Sequence, residues 1–189
     1  MGRESISTEH HAPGGVIVVS VGTDHHPFAR LVGWSARWAV DHPECKVIIQ
    51  RGTTPAPAGV ESHELIPHDE LRRLFRSARA VVSHGGPSTL MDARMAGRCP
   101  IVVARDPKLG EHVDDHQLRF AEHLGRHHMA YPVNNEEAFR LALDDALADP
   151  EAFSVAIEDT ALSTGVVRFG ELVDDLLGIV TTLRLDEFP

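Results

Sequence analysis

Six residues near the middle of the chain, His84-Gly85-Gly86-Pro87-Ser88-Thr89, carry the strongest chemical signal. They follow the β-branched run Ala80-Val81-Val82-Ser83 and lead into a segment with helical spacing. Two glycines allow a sharp turn and a close approach to the backbone. Pro87 suits a first helical position, where no N–H is needed. The free amides of that first turn, aided by the helix dipole, then point at whatever anion lies there. Ser88 and Thr89 add hydroxyl donors. This arrangement suits a diphosphate, though neither a Walker loop nor a GxGxxG fingerprint occurs in the chain; a Gly-rich strand-to-helix turn that holds no ligand is the other reading. Asp92 lies four residues beyond Ser88, on the same helix face and about 5.4 Å further along. A carboxylate there can accept from both hydroxyls of a ribose attached to the diphosphate; a solvated helix aspartate is the plain alternative.

Three further groups are candidates. Gly22-Thr23 ends the first apolar run, and two such turns at neighbouring strand ends make one site, because open parallel sheets bind ligands beyond their carboxyl ends. The polar loop Arg105 to Asp115 also follows a strand and can close over a ligand. It ends in His116-Gln117 at a helix start, where both side chains can hydrogen-bond sugar hydroxyls; an ordinary helix-start residue is the alternative for Gln117. His25 and His26, just after Gly22-Thr23, can reach toward the phosphates or stay in solvent. Of the thirteen histidines, His112 and His116 have a four-residue spacing but no HExxH pattern, and no metal is expected there. No GxSxG elbow or nucleophilic cysteine context appears.

The elements that must position these residues alternate between short β-branched runs and amphipathic helical runs. That pattern predicts an α/β fold, a single Rossmann-like parallel sheet of about six strands with helices on both faces. The expected strands are Val16–Val21, Lys46–Gln50, His63–Ile66, Ala80–Ser83, Pro100–Ala104 and Met129–Val133. The last is edge-like, because Pro132 cannot donate to a ladder. Helices are expected on the stripe Phe28, Leu31, Val32, Ser35, Trp38, Ala39 and on Leu71, Leu74, Phe75, Ala78. Others are expected from about Pro87 to Ala96, on Leu118, Ala121, Leu124, and near 136–148. The apolar stripe from Phe169 to Leu183 predicts one more. Residues 1–15 are expected to be a flexible leader and 16–189 the single domain.

Composition sets limits on function. The chain has 189 residues, 42% of them hydrophobic, and a formal net charge of −10. Such a field repels phosphate backbones and anionic lipid, so nucleic acid is not an expected partner. Cys45 and Cys99 form no CxxC and read as small buried hydrophobes in a reducing cytoplasm. No apolar stretch approaches the ~20 residues of a membrane span.

The run from Val82 to Leu124, VSHGGPSTLMDARMAGRCPIVVARDPKLGEHVDDHQLRFAEHL, with the opening VSVGTDHHPFARLVGW, resembles the C-terminal donor-binding domain of glycosyltransferase family 28. It is similar in particular to stand-alone catalytic subunits of two-subunit enzymes, of the UDP-GlcNAc transferase or exopolysaccharide glucuronosyltransferase type. The resemblance covers roughly residues 16–180. It implies the C-terminal half of a GT-B fold that binds a UDP-sugar without metal or other cofactor, and an inverting transfer. Gly85, Gly86, Ser88 and Thr89 (with His84 beside them) would hold the diphosphate, and Asp92 the ribose. His116 and Gln117 would read the sugar, with Gly22 and Thr23 as the opposite wall. Asp92 stands where the family usually has glutamate, and Ser88 where glycine is common. A membrane-anchored acceptor-binding subunit is the implied partner, docking on the tail Leu185–Pro189 or on the apolar stripe, most of which is expected to pack on the chain's own sheet. It would place the chain in the cytoplasm, peripheral to the membrane face, and supply the base, with His25 and His26 as this chain's weaker candidates. Self-association is left open. A non-catalytic UDP-sugar-binding module and an epimerase-like enzyme are the alternatives.

Overall fold

The computed structural model describes residues 14–155. The leader up to residue 13, the stripe from Phe169 to Leu183 and the tail from Leu185 lie outside the described residues. The first elements are β1 (Val16–Ser20), α1 (Ala29–Asp41), β2 (Lys46–Gln50), β3 (Glu61–His63) and α2 (His68–Ser77). Then come β4 (Ala80–Ser83), α3 (Pro87–Met95), β5 (Ile101–Val102), α4 (His116–Arg126), β6 (Tyr131–Pro132) and α5 (Glu136–Ala148). The strands form one parallel sheet in the order β3-β2-β1-β4-β5-β6. Winding runs outward from β1 to β3, then reverses from β4 to β6, so the switch point falls between β1 and β4. The expected doubly wound sheet is therefore present, with Pro132 on its edge strand.

Side-chain alternation along each strand assigns the helices to faces. Ile17, Val19, Ile49 and Val82 join Leu31, Trp38, Phe139 and Leu143 in one apolar cluster, which places α1 and α5 on that side. Val18, Ile48 and Val81 join Leu71, Leu74, Phe75 and Ala93 in the other, beneath α2 and α3. Trp38 is fully buried and still satisfied, because its indole N–H donates to Asp144 at 2.9 Å. At the edge, α4 runs so close to β6 that a Cβ on Gly125 would lie 2.6 Å from Pro132 Cγ. Cys45 and Cys99 are free thiols. No helix among the described residues is long and apolar enough to cross a membrane.

Two expectations need correction. The third strand pairs with β2 through Glu61, Ser62 and His63, not through the apolar run His63 to Ile66. The cause is Gln50, whose side-chain carbonyl accepts the Ile66 N–H at 3.1 Å and draws the chain out of the ladder. The loop from Arg105 to Asp115 is also less free than its polarity suggests. It contains a 3-10 turn at Pro107–Leu109, and Arg105 and Glu111 within it are buried.

Truncating Trp38 removes the largest fully buried side chain. Trp38→Ala is expected to lower unfolding free energy by about 3–5 kcal/mol, read as a lower urea midpoint at unchanged slope. A loss under about 1 kcal/mol would contradict this assignment of the core.

Candidate functional site

The two strands at the switch point end alike. Ser20-Val21-Gly22 closes β1 and Ser83-His84-Gly85 closes β4. In each, the buried serine hydroxyl accepts from the glycine N–H two residues on, at 3.3 Å for Gly22 and 3.2 Å for Gly85. Both glycines have positive φ, +78° and +92°, the left-handed region that side chains disfavour. Local serine hydrogen bonds of this kind redirect a strand into a turn.

His84 fills the space between the turns. A Cβ on Gly22 would lie 2.5 Å from its Cε1, and one on Gly86 would lie 2.3 Å from its Nε2. Gly86 is thus required by the chain's own imidazole and not only by an approaching ligand. Burial, joined by the nearby Arg105 charge, lowers the His84 pKa to about 4, so the ring is neutral near pH 7. Its Nδ1 is buried with no hydrogen-bond partner.

Beyond His84, α3 starts with Pro87 after Gly86, and no side chain caps it. The amides of Ser88 and Thr89 are therefore left to solvent or ligand. They open on a cleft of about 420 Å³ that Gly22, Thr23, His84, Gly86, Ser88, Thr89 and Asp92 all line. Asp92 is not a solvated residue: its side chain is 15% exposed, with His68 Nε2 at 2.8 Å and Arg72 Nε at 3.7 Å. The remaining wall was missed in the sequence. Gln50 donates to Gly22 O and to Ser20 Oγ, each at 3.3 Å, while holding Ile66, so it ties one wall of the cleft to the other. Leu65, Ile66, Pro67 and His68 form the side facing α3. A glutamine ending an apolar strand was the one available signal for this wall.

The other expected residues are placed elsewhere. Gly85 is buried behind the turn, its hydrogen-side face 3.2 Å from Val102 Cγ1 by the same Cβ measure. His116 and Gln117 do not line the cleft. His116 Nδ1 lies 2.9 Å from the Asp114 carboxylate, and Gln117 Oε1 is buried without a hydrogen-bond partner. His25 and His26 also stand off the cleft and turn to Asp24. Burial alone would raise the Asp24 pKa, but hydrogen bonds from His26 and the charges of Arg105 and His26 outweigh it, giving about 2.

Arg105 fixes this region. Its fully buried guanidinium donates to Val21 O at 3.0 Å, His26 O at 2.8 Å and Glu111 O at 3.1 Å. The Glu111 carboxylate receives Arg30 at 2.9 and 2.7 Å and the Asp106 N–H at 2.9 Å. The loops after β1 and β5 are thus joined beneath their tips.

A doubly wound six-stranded sheet with a Gly-rich cleft at its switch point is the architecture of one half of a GT-B glycosyltransferase. Residues 16–163 match the glycosyltransferase family 28 C-terminal domain, and the chain belongs to that family. Solved structures of similar fold include the glycotransferase of kitacinnamycin, at a TM-score of 0.63 and 16% identity, covering 93% of this chain and 46% of that one. CalG4, the calicheamicin glycosyltransferase, has a TM-score of 0.57 at 19% identity, with 94% and 47% covered. Spinosyn forosaminyltransferase SpnP has a TM-score of 0.53 at 18% identity, with 87% and 39% covered. At these identities the likeness is one of fold, and the chain spans less than half the length of these proteins. No curated protein matches the chain.

The depressed His84 pKa links stability to pH. An unfolded histidine takes a proton near pH 6.5, whereas His84 in the fold resists until about pH 4. Its contribution is therefore full above pH 6.5 and is lost as pH falls from 6.5 to 4, by roughly 3 kcal/mol. His84→Gln is expected to flatten the stability profile in that window, measured by urea unfolding at each pH. Identical slopes in the two proteins would remove His84 as the linked group.

Proposed function

We propose that the chain is the donor-binding subunit of an inverting glycosyltransferase that takes its sugar from a UDP-sugar, UDP-GlcNAc or UDP-GlcA. The observation that carries this reading is the convergence of Gly22, Thr23, the uncapped start of α3 and Asp92 on one cleft, in a family 28 chain. The diphosphate would lie against the Ser88 and Thr89 amides and the ribose against Asp92. An acceptor hydroxyl attacks the anomeric carbon from the face opposite UDP. The bond from that carbon to the β-phosphate oxygen breaks, and UDP leaves with the electron pair. The α3 N-terminus offsets the charge that develops on the phosphate, so no divalent cation is needed for that step. The acceptor's proton passes to a general base.

That base, with the acceptor site, is assigned to a membrane-anchored partner subunit, which would hold this chain at the cytoplasmic membrane face. The position of His25 and His26, which turn from the cleft to Asp24, supports this. His116 and Gln117 would complete the sugar site from the start of α4 once a donor is bound.

Calorimetry with UDP, UMP and uridine tests the donor site. UDP is expected to bind at least about tenfold tighter than UMP, equivalent to 1.4 kcal/mol. Thr89→Val is expected to weaken UDP about tenfold or more, and Gly86→Val to abolish binding by displacing His84. Equal affinities for UDP and uridine, or a Gly86→Val protein that binds UDP normally, would refute the diphosphate assignment. Sugar transfer by the isolated chain would refute the two-subunit reading. Binding without transfer in the partner's presence would favour a non-catalytic sensor.

A further inference from the structure

Immediately beyond the cleft wall, Thr23 leads into Asp24-His25-His26, and the loop after β5 brings His112 to the same carboxylate. His26 Nδ1 lies 2.6 Å from Asp24 Oδ1, and His25 Nδ1 lies 3.7 Å from that oxygen. His112 Nε2 lies 3.6 Å from Asp24 Oδ2. One donor atom each from Asp24, His25 and His26 falls within 4.8 Å of the others. Two ligands of a tetrahedral zinc, bonded at about 2.0–2.1 Å, stand roughly 3.4 Å apart. The two longer separations from Asp24 exceed that by a few tenths of an ångström, whereas His112 lies outside the 4.8 Å group and is drawn in only by a larger shift of the loop after β5. At His26, the contact with Asp24 holds the two atoms closer than an ion between them would, and it opens when one enters.

Two observations set this group apart from scattered surface histidines. Arg105 donates to the His26 carbonyl at 2.8 Å and to the Glu111 carbonyl at 3.1 Å. One guanidinium thus holds the backbone beside ligands from both loops. In addition, the Asp114 carboxylate lies 3.4 Å from His112 Nδ1 and can accept its N–H once Nε2 binds an ion, in place of the Asp114 N–H that Nδ1 accepts at 3.4 Å without one. An outer carboxylate in that position is a recurrent support for metal-bound imidazole.

We propose that Asp24, His25, His26 and His112 form a binding site for a divalent transition-metal ion of the zinc class. Three imidazoles and one carboxylate suit zinc, cobalt or nickel and disfavour magnesium and calcium, which take all-oxygen shells. Four protein donors leave no open position, so the ion cross-links the loops after β1 and β5 and takes no part in bond breaking. It also engages the imidazoles of His25 and His26, withdrawing them as bases. The inference is independent of the donor reading, because none of its ligands lines the cleft.

The test is calorimetric titration of the metal-free full chain with Zn²⁺. One site reversible by EDTA is expected, with about 100-fold weaker binding in Asp24→Asn and about tenfold or more in His112→Ala and His25→Ala. His127→Gln, an exposed control on another surface, should bind zinc like the parent. Zinc should raise the melting temperature of the parent and not of Asp24→Asn. Circular dichroism checks each variant's fold, and the exposed His25 supplies a variant that folds if the others do not. Zinc binding unchanged in His25→Ala and Asp24→Asn, or lost equally in His127→Gln, would overturn the site. So would the absence of any zinc binding by the parent.

Discussion

The buried guanidinium of Arg105 is the constraint on which the top of this sheet depends. Removing such a charge from water costs several kcal/mol, and the fold offsets this with backbone carbonyls at Val21, His26, Pro27 and Glu111 and with the face of Phe28 at 4.6 Å. Those carbonyls belong to two loops that have no ladder to hold them. Without a common donor each would need its own water or turn. One planar group with donors in a fixed fork supplies both. Arg30 then bonds the Ala104 carbonyl and the Glu111 carboxylate, so the joint is fastened from a helix as well as from within. The same charge opposes protonation of His84, and this keeps the ring neutral between the two glycine turns.

The paired strand ends add a second level of order. Serine, any residue, glycine occurs at the close of β1 and again at the close of β4, and each serine hydroxyl catches the glycine amide. Because β1 and β4 are neighbours in the sheet, the two turns stand side by side with His84 between them. The cleft wall is therefore set before any ligand arrives. Donors fixed in this way need no reorganisation when charge reaches them, which is the condition for strong electrostatic stabilisation. Gln50 extends the arrangement sideways by binding Gly22 O and the Ile66 N–H with one amide group.

The frame was readable because its signals are local and repeated. Continuous β-branched runs at Val16–Ser20 and Ala80–Ser83, and the 3.6-residue stripe through Leu31 and Trp38, each specify an element independently of the rest. The glycine-rich turn before α3 was readable for a similar reason, since strand, glycines, proline and helix are contiguous. Contacts between distant segments were not. That Arg105 reaches Val21, that His112 faces Asp24, and that His68 pairs with Asp92 depend on loop paths no periodicity encodes. The misplaced third strand has the same origin, because a single side chain sixteen residues away captured the Ile66 amide. The glycine at 86 was readable as necessary, but its clash partner is an imidazole of the chain itself.

A net charge of −10 opposes anions over the surface as a whole. In the cleft, distance and screening weaken that opposition. The Debye length at physiological ionic strength is about 8 Å, and packed layers are separated by roughly 10 Å. The acidic α5, with Glu136, Glu137, Asp144 and Asp145, lies across the sheet from α2 and α3, so its charges reach the cleft only weakly. Nearer at hand, His68 and Arg72 contact the Asp92 carboxylate, and Asp24 is enclosed by imidazoles and the Arg105 field. What remains in the first few ångströms is the N-terminal end of α3, with its partial positive charge. The sign of the cleft is set by those nearby dipoles, while the overall charge governs the rest of the surface.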